Sequence, residues 1–386
     1  MRRVAYFSLV LVLVLAALIT ACSQSTPTPT PSQSPTTTAS PSASPTASPK
    51  PTSTPTAKPA AKEWVSMTAA ETSTGYKDGQ ALARIANLAL QQAGIPLTMK
   101  NVTGPGSTVN HRSYDKGETD MLYQSTISVS QAWENLGPFT KDPLKHRTYQ
   151  GIYMLSMNMF PVIKPGDKDK IKSYADLAGK KIFPHQTGSA AYEASQMAFG
   201  SLGLWSKLKD TQMNTQEVGS SVRSGILDAV VFTGVGGGRS TSAWYVEMVM
   251  TTDLWVVPPT EQEKQVIAAV KGLTPVTISP QWLFPNKDVG TKDIWTFSMY
   301  QGWNFPSYGT EQEVYTIVKA WYENTKDLIA IDPAFQEFAD IGLKFNAQII
   351  DSLKEIPVHP GVAKYYKEKG IWKDTWKIGT VEPKNW

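Results

Sequence analysis

The sequence predicts a mainly parallel α/β fold divided into two lobes. Short apolar segments with strand-like composition alternate with segments whose apolar residues recur at helical spacing, a pattern typical of parallel sheets covered by helices. The part of the chain able to bury a core runs from about Glu63 to Trp386, and its 324 residues exceed a comfortable single core. Length and alternation together therefore favour two lobes.

The N-terminus is typical of a secretory signal peptide. Arg2 and Arg3 precede an apolar run over residues 4–21, which is short for the ~20 residues of a membrane-spanning helix, the alternative interpretation. The run ends in Ile19-Thr20-Ala21-Cys22, which resembles the bacterial lipobox. We therefore expect residues 1–21 to be removed. Lipidation of Cys22 would then hold an exported, extracytoplasmic protein on the bacterial cell membrane.

Residues 22–62 are predicted to form a disordered tether. After Cys22, residues 23–62 contain 10 Pro and 19 Ser or Thr among 40 positions, and the other residues are Ala, Gln and Lys. Such a segment cannot offset the entropy of ordering by burying apolar side chains. Its Ser, Thr and Pro content leaves a glycosylated stalk open as an alternative.

Charge and cysteine content exclude several function classes. The formal net charge of +4 comes from five basic residues before Glu63, because the remainder has 32 basic and 33 acidic residues. This balance does not favour nucleic acid or an anionic membrane surface as a partner. Cys22 is the only cysteine, so disulfides, thiolate metal sites and a cysteine nucleophile are excluded within the folded part.

The first predicted unit alternates strands and helices. Apolar residues at helical spacing predict a helix over residues 78–93, and a long apolar segment over 151–163, ending at Pro165-Gly166, is expected to cross between lobes. The remaining predicted elements are strands at 65–69, 97–102 and 121–123 and a helix at 129–135.

A second unit begins at Ser173, where Ser173 and Asp176 fit a capping box for a short helix ending at Gly179. After it, the chain is expected to return to the first lobe through residues 275–284 and 293–300. Further strands are predicted at 181–183, 229–232 and 254–257, with helices at 190–202, before Gly225, and at 311–326, 347–353 and 362–369.

Three polar, glycine-containing loops follow candidate strands, at residues 104–110, 185–189 and 233–240. Such loops let a ligand approach the backbone and the N–H groups of a helix N-terminus, so each is a candidate anion site. Ser107 is expected to cap the helix after the first loop. The alternative for each loop is an ordinary capped turn. Arg239 is a candidate carboxylate clamp because guanidinium groups pair with carboxylates in a bidentate way, and a surface charge is its alternative.

Motifs typical of enzymes are absent from the sequence. The four histidines are scattered, with no Gly-x-Ser-x-Gly nucleophile elbow and no metal-ligand spacing. We therefore expect neither an enzyme nor a bound cofactor or metal. The four histidines are His111, His146, His185 and His359.

The three loops and the C-terminal segment resemble the TAXI family. These proteins are the extracytoplasmic solute-binding subunits of one branch of tripartite ATP-independent periplasmic (TRAP) transporters. The most specific match is Ile356-Pro357-Val358-His359-Pro360-Gly361 with the following Val362 to Tyr366. The other matching segments are 106–110, 116–120, 124–125 with Ala132, 137–139, 176–182, 188–189 and 225–229 with the glycine loop.

The resemblance implies a two-lobed fold like the type II periplasmic binding proteins, with mixed, mainly parallel sheets and two crossover segments. Lobe 1 would contain residues 63–155 and 276–386, and lobe 2 residues 156–275. A monomer would capture a small solute, an amino acid or organic acid, and deliver it to TRAP membrane subunits. A lipoprotein that senses a ligand for a membrane receptor is the alternative. The ligand-binding positions implied are Ser107, Asn110, Gln124, Ser125, Gly188, Ser189, Thr233, Gly234, Gly236 and Tyr308.

The sequence departs from the family pattern in two loops. Thr126 stands where the family often has Asp, and Gly188-Ser189-Ala190-Ala191 replaces the usual Gly-Ser-Gly-Thr. These departures bear on the ligand rather than the fold. One hypothesis is an aromatic-lined site for a bulkier carboxylate, with core packing as the alternative use of the same side chains, Trp133, Trp244 and Trp303.

Overall fold

The structure is a computed structural model that describes residues 61–71 and 73–385. The predicted signal peptide, the lipidated Cys22 and nearly all of the tether lie outside these residues. Within the described residues, no helix combines the length and the apolar character needed to span a bilayer.

Ten strands and eleven helices alternate along the described chain. The strands are β1 (Lys62–Met67), β2 (Leu97–Val102), β3 (Met121–Ser125), β4 (Tyr149–Ile163), β5 (Lys181–Phe183), β6 (Lys209–Asp210), β7 (Ala229–Val235), β8 (Trp255–Val256), β9 (Val276–Ile278) and β10 (Ile294–Phe305). The helices are α1 (Thr74–Gln92), α2 (Ser107–Asp115), α3 (Thr126–Glu134), α4 (Ala190–Ser201), α5 (Thr215–Ser224), α6 (Ala243–Thr251), α7 (Glu261–Ala268), α8 (Glu311–Glu323), α9 (Thr325–Ile331), α10 (Phe335–Ser352) and α11 (Pro360–Glu368).

One continuous mixed sheet organises the fold, in the order β2-β1-β3-β10-β4-β7-β5-β6, with β8 on β4 and β9 on β10. This confirms the α/β prediction. The expectation of mainly parallel sheets needs correction, because four strand pairs are parallel and five are antiparallel. The five antiparallel pairs all involve β4 or β10, which run against the parallel strands on either side of them.

The two long central strands connect the two ends of the sheet. β4 pairs with β10 over most of its length and with β7 over Met157 to Ile163. The sequence predicted that residues 151–163 would cross between two units, and β4 occupies this span. Because β4 and β10 are nearly completely buried, both faces of the sheet are covered at its centre.

Local capping explains where several helices begin. Ser73 and Ser189 accept hydrogen bonds from the N–H groups of Tyr76 and Tyr192, so α1 begins at Thr74 and α4 at Ala190. The expectation that Ser107 caps its helix is wrong, because Gly106 is the N-cap and Ser107 is the first helical residue. The sequence prediction did not include α6 or α7, and it covered only the end of α10.

The two ends of the sheet have different cores. At the β1–β3 end, one large cluster joins α1, α8, α10 and α11 to the sheet. At the β5–β7 end, side chains alternate along β4 and β7, so Met159 and Val231 join one cluster while Phe160 and Phe232 join another. The sheet is therefore covered on both faces at this end as well.

Candidate functional site

A cavity of about 260 Å³ lies at the middle of the sheet, between its β1–β3 end and its β5–β7 end. Residues of β3, β4, β7 and β10 form part of its wall, and the loops after β1, β2, β5 and β7 close it. Ligand sites in open α/β sheets lie beyond the carboxyl ends of parallel strands, which is the position of these loops. The volume is just below the roughly 300–1,000 Å³ of drug-sized sites, so it suits a small solute.

The N-termini of four helices face this cavity. They belong to α1 (Ser73 to Gly75), α2 (Gly106 and Ser107), α4 (Ser189 to Ala191) and α6 (Ser242). The first N–H groups of a helix have no partner within the helix, and the helix dipole adds partial positive charge there. Gly106 and Ser242 form no side-chain capping bond, so N–H groups of α2 and α6 remain available to a ligand. The arrangement favours an anion.

Within the described part of the chain, the wall of the cavity has no ionised side chain. Its polar side chains there are hydroxyl, amide and imidazole groups, without Asp, Glu, Lys or Arg. Burial lowers the pKa of the His185 imidazole to about 4, so this ring is neutral at physiological pH. The positive potential of the site therefore comes from oriented peptide groups rather than from cationic side chains.

His185 and Ser189 lie close together without forming a nucleophile and base pair. The Ser189 Oγ is 3.3 Å from His185 Nδ1, but its hydroxyl donates to the Gln186 carbonyl oxygen at 2.7 Å and caps α4. The proton that a histidine base would remove is thus already directed elsewhere. His185 has a φ of +105°, an unfavourable conformation for a non-glycine residue that holds its ring against the cavity.

Gln301 contributes a buried amide to the cavity without a conventional partner. Only 4 % of the residue is exposed, its Oε1 accepts no hydrogen bond, and its Nε2 meets the Met157 sulfur at 3.6 Å. A thioether is a weak acceptor, so this contact does not satisfy the amide. An unsatisfied buried polar group costs about 1–3 kcal/mol, and a ligand that bonds to it recovers that cost.

The pairing of β10 with β4 shifts register between Gln301 and Gly302, so the Gln301 side chain lies beside a bulge. Bulges re-aim side chains and are frequent next to functional sites. Tyr123 on β3 adds a hydroxyl-bearing ring, and Leu155, Met157 and Val235 give the cavity an apolar floor. The site thus combines an anion-binding end with a buried amide and an apolar surface.

Three of the predicted ligand-binding residues line the cavity, namely Ser107, Ser189 and Thr233. Three others support its wall from behind. Asn110 is completely buried and its Nδ2 donates to the carbonyl oxygens of Met67, Thr68 and Tyr123. Gln124 donates to Asn304 Oδ1 at 3.2 Å, and Ser125 caps α3 in a capping box.

The other predicted positions lie away from the cavity. Gly188 lines a neighbouring groove with Tyr192 and Pro138, and Gly234 packs where an added Cβ would lie 2.9 Å from Leu283 Cδ1. Tyr308 donates its hydroxyl to Asp120, with Lys384 above its ring. The aromatic residues considered from the sequence do not line the cavity either: Trp133 and Trp303 belong to the large core, and Trp244 stacks on Tyr245.

The third glycine loop turns away from the cavity after Val235. Gly236 has a φ of +62° and donates its N–H to the Ser156 carbonyl oxygen, and an added Cβ there would lie 2.3 Å from the Ala334 carbonyl oxygen. Arg239 meets Asp340 at 3.6 Å rather than facing the cavity. Gly236 therefore serves close packing against the start of α10, while Gly234 and Gly238 pack against Leu283 and Ile278.

A layer of buried ionisable groups lies behind the cavity wall, and we call Asp78, Asp332 and Glu337 the second layer. Glu337 accepts hydrogen bonds from the N–H and hydroxyl of Ser156, which stands between two floor residues on β4. Lys77 pairs with Asp332 at 3.0 Å. Burial, and then the charge of Asp332, raise the pKa of Asp78 to about 8, and neither of its carboxyl oxygens has a hydrogen-bond partner.

Sequence reasoning missed Gln301, Tyr123 and Ser242. A sequence signal existed only for Gln301, because Gln301-Gly302 interrupts an otherwise apolar and aromatic strand, which is typical of a bulge. Tyr123 was predicted only as a strand residue. Ser242 precedes a helix that was not predicted.

A second depression, of about 720 Å³, lies along α1 and the edge strand β2. The side chain of Asn87 bonds to both the N–H and the carbonyl oxygen of Met99, and Gln80 reaches the Asn101 carbonyl oxygen. These contacts cover the polar groups of the sheet edge, which protects it from pairing with another chain. The smaller cavity between the two ends of the sheet is therefore the candidate site.

Comparison with known proteins adds a family and a set of similar folds. A family model described as the NMT1-like family matches residues 67–370. The sulfonate-binding protein SsuA of a putative sulfonate ABC transporter from Methylobacillus flagellatus is 14 % identical, with a TM-score of 0.46, over 83 % of this chain and 98 % of that one.

Two further solved structures are similar at lower TM-scores. The aliphatic sulphonate binding protein SsuA from Escherichia coli is 14 % identical over 80 % of this chain and 83 % of its own, with a TM-score of 0.36. A TRAP periplasmic solute binding protein from Citrobacter koseri with bound D-glucuronate is 14 % identical over 76 % of this chain and 87 % of its own, also with a TM-score of 0.36.

Proposed function

The chain belongs to the NMT1-like family, and from this membership and the geometry of its cavity we propose that it is a solute-binding receptor. It captures a small carboxylate-bearing solute and releases it chemically unchanged. The observation that carries the proposal is the convergence of four helix N-termini on one small cavity whose wall has no ionised side chain. Free N–H groups and aligned dipoles at such a point stabilise an anion.

Capture proceeds by closure of two lobes, residues 63–155 with 276–386 and residues 156–275, which β4 and β10 connect. The helix N-termini at the cavity come from both lobes, α1 and α2 from the first and α4 and α6 from the second. A solute that touches all of them binds the closed arrangement more tightly than the open one and so selects it. Thr108 of α2 donates to Glu193 of α4 at 2.7 Å, a contact that joins the two proposed lobes beside the cavity loops and that lobe opening would break.

The segments that resemble the TAXI family support a TRAP-type transporter as the recipient of the solute. The N-terminal sequence supports export and lipidation at Cys22, with the residues before β1 as the tether to the bacterial cell membrane. In this arrangement the binding domain presents its closed form to the transporter.

Thermal melting against a library of organic acids, amino acids, sulfonates and phosphates tests the proposal. The protein should first be unfolded, dialysed and refolded to remove any bound solute. A true ligand at 100 times its dissociation constant adds about 2.7 kcal/mol to the free energy of unfolding. At least one anion should therefore raise the melting temperature in a saturable way, and neutral analogues of the same compound should not.

A matched pair of variants locates the binding site. Thr233→Val removes a hydroxyl from the cavity wall, whereas Thr375→Val removes an exposed hydroxyl that does not line the cavity. Only the first should weaken binding. A library without any stabilising anion, or equal weakening by both variants, would contradict the proposed receptor.

A further inference from the structure

The Gln301 amide is the one side-chain group in the cavity wall that is both deeply buried and unsatisfied. Its Oε1 accepts no hydrogen bond, and its Nε2 contacts only the thioether sulfur of Met157, at 3.6 Å. Only 4 % of the residue is exposed, so solvent does not satisfy the amide either. An amide with a free acceptor and a free donor is best satisfied by a group that both donates and accepts. A hydroxyl group has this property.

A ligand ammonium group would lack a counter-charge in the same cavity. Among the described residues no carboxylate lines the wall, and the buried acid Asp78, which acts on the Tyr123 hydroxyl, has both oxygens inaccessible to solvent. A buried cation without a paired anion is strongly unfavourable. A carbonyl group is also a poor match, because it only accepts hydrogen bonds and leaves the Gln301 Oε1 without a donor.

We propose that the solute is a hydroxy acid, a small carboxylate that carries a hydroxyl group and no ammonium group, and that Gln301 is the residue that selects it. This inference rests on the proposed receptor function. The carboxylate binds the N–H groups at the helix N-termini, the hydroxyl pairs with the Gln301 amide, and the carbon skeleton lies on Leu155, Met157 and Val235. Selection works because the wrong group leaves the buried amide unpaired.

Matched sets of acids test the inference by isothermal titration calorimetry. Each set keeps the carbon skeleton and changes one group: lactate, alanine and pyruvate; malate, aspartate and oxaloacetate; phenyllactate, phenylalanine and phenylpyruvate. In the set with the best-fitting skeleton, the hydroxy acid should bind at least about tenfold more tightly than the amino acid and the oxo acid, as expected for one lost buried hydrogen bond.

Two variants assign the preference to Gln301. Gln301→Met keeps the length of the side chain and removes the amide, so the hydroxy acid should lose about tenfold in affinity and the preference over the oxo acid should disappear. Its melting temperature without ligand should not fall, because an unsatisfied buried group is removed. Gln312→Met, an exposed position on α8, is the matched control and should change neither quantity.

The outcomes separate this inference from the proposed receptor function. If the amino acid binds as tightly as the hydroxy acid, or if Gln301→Met keeps the preference, the receptor stands and the ligand class is wrong. Loss of amino-acid binding in Asp78→Asn would identify Asp78 as the counter-charge and also overturn the inference. If another anion of the library binds but no acid of the three sets does, the receptor function stands and the inferred ligand class is wrong. If no anion in the library binds, the receptor function itself fails.

Discussion

The cavity wall carries hydroxyl, amide and main-chain N–H groups but no ionised side chain, whereas the second layer behind it consists of buried acids. Gln301 of the wall has no conventional hydrogen-bond partner, whereas in the second layer Glu337 bonds to Ser156 and Asp332 pairs with Lys77, and only Asp78 lacks partners. The Gln301 amide in the wall thus lacks hydrogen-bond partners until a ligand binds, and the second layer keeps the wall in place. Substitutions in the wall should change affinity, and substitutions behind it should change stability.

The largest loss of stability is expected at Gly236, at the close contact between the third glycine loop and the start of α10. Gly236→Ala places a Cβ 2.3 Å from the Ala334 carbonyl oxygen at a φ of +62°, so backbone must move. Overpacking and backbone strain together should lower the free energy of unfolding by roughly 3 kcal/mol. Urea denaturation measures the change.

Gly179 provides the control for Gly236. It also has a positive φ, +76°, but an added Cβ meets nothing within 4 Å. Gly179→Ala should therefore cost only about 1 kcal/mol, the cost of the left-handed conformation alone. Equal losses in the two variants would mean that Gly236 serves conformation rather than packing.

Asp78 should make the protein less stable as pH rises, because its folded-state pKa of about 8 lies above the ordinary value of 3.8. Between these two pH values the unfolded chain releases the proton and the folded chain keeps it, so stability is lost as pH rises from about 4 to about 8. Asp78→Asn removes this dependence. Relative to the wild type, the variant should gain roughly 4 kcal/mol between pH 5 and pH 8, about 1.4 kcal/mol for each pH unit.

The gain at Asp78 is measured by denaturation at both pH values, with Asp374→Asn, an exposed position, as control. The charged groups that act on Asp78 are Asp332, which raises its pKa, and Lys77, which lowers it. A variant whose stability relative to the wild type is the same at pH 5 and pH 8 would show that Asp78 is ionised in the folded protein. The second layer would then be more polar than its burial indicates.

Ser189 has a role in both binding and stability, because it lines the cavity and caps α4. Ser189→Ala removes the acceptor for the Tyr192 N–H and should cost about 1 kcal/mol of stability. It should also weaken anion binding several-fold, since the helix N-terminus at the cavity becomes less ordered. Thr260→Ala removes the equivalent cap of α7, which does not line the cavity, and should cost similar stability without changing affinity. An equal loss of affinity in both variants would contradict a local role.

The sequence was sufficient for features set by local physics. Alternating periodicity predicted the α/β class, the apolar run at 151–163 predicted a long strand, and helical spacing after the loop at 185–189 predicted the helix that begins at Ala190. It could not distinguish the three glycine loops, because glycine permits both close packing and close ligand approach. The difference between Gly236 and Ser107 depends on whether α10 or a cavity lies opposite, and this is a tertiary property.

The most informative property of the wall could not be predicted from the sequence. Gln301 lies far along the chain from the other cavity residues, and its unsatisfied amide is defined by the lack of polar neighbours that the long-range pairing of β4 and β10 creates. Helix α10 was predicted only at its end. Asp332-Pro333 before its start is a helix-start signal that the sequence prediction did not use, since Asp332 Oδ1 accepts a hydrogen bond from the Ala334 N–H. The hydrophobic pattern of a sequence predicts which residues are buried, but it does not predict which buried polar groups lack a hydrogen-bond partner.

The smallest effect is expected at Arg239, which the sequence suggested as a carboxylate clamp. Its guanidinium lies 3.6 Å from Asp340, with both side chains partly exposed, and it does not line the cavity. Such pairs contribute about 0–1 kcal/mol, so Arg239→Ala should change stability little and leave anion affinity unchanged, as should the exposed control Arg84→Ala. A tenfold loss of affinity in Arg239→Ala alone would mean that the third loop moves into the cavity when the solute binds. The boundary between an uncharged wall and a charged layer behind it would then hold only for the protein without ligand.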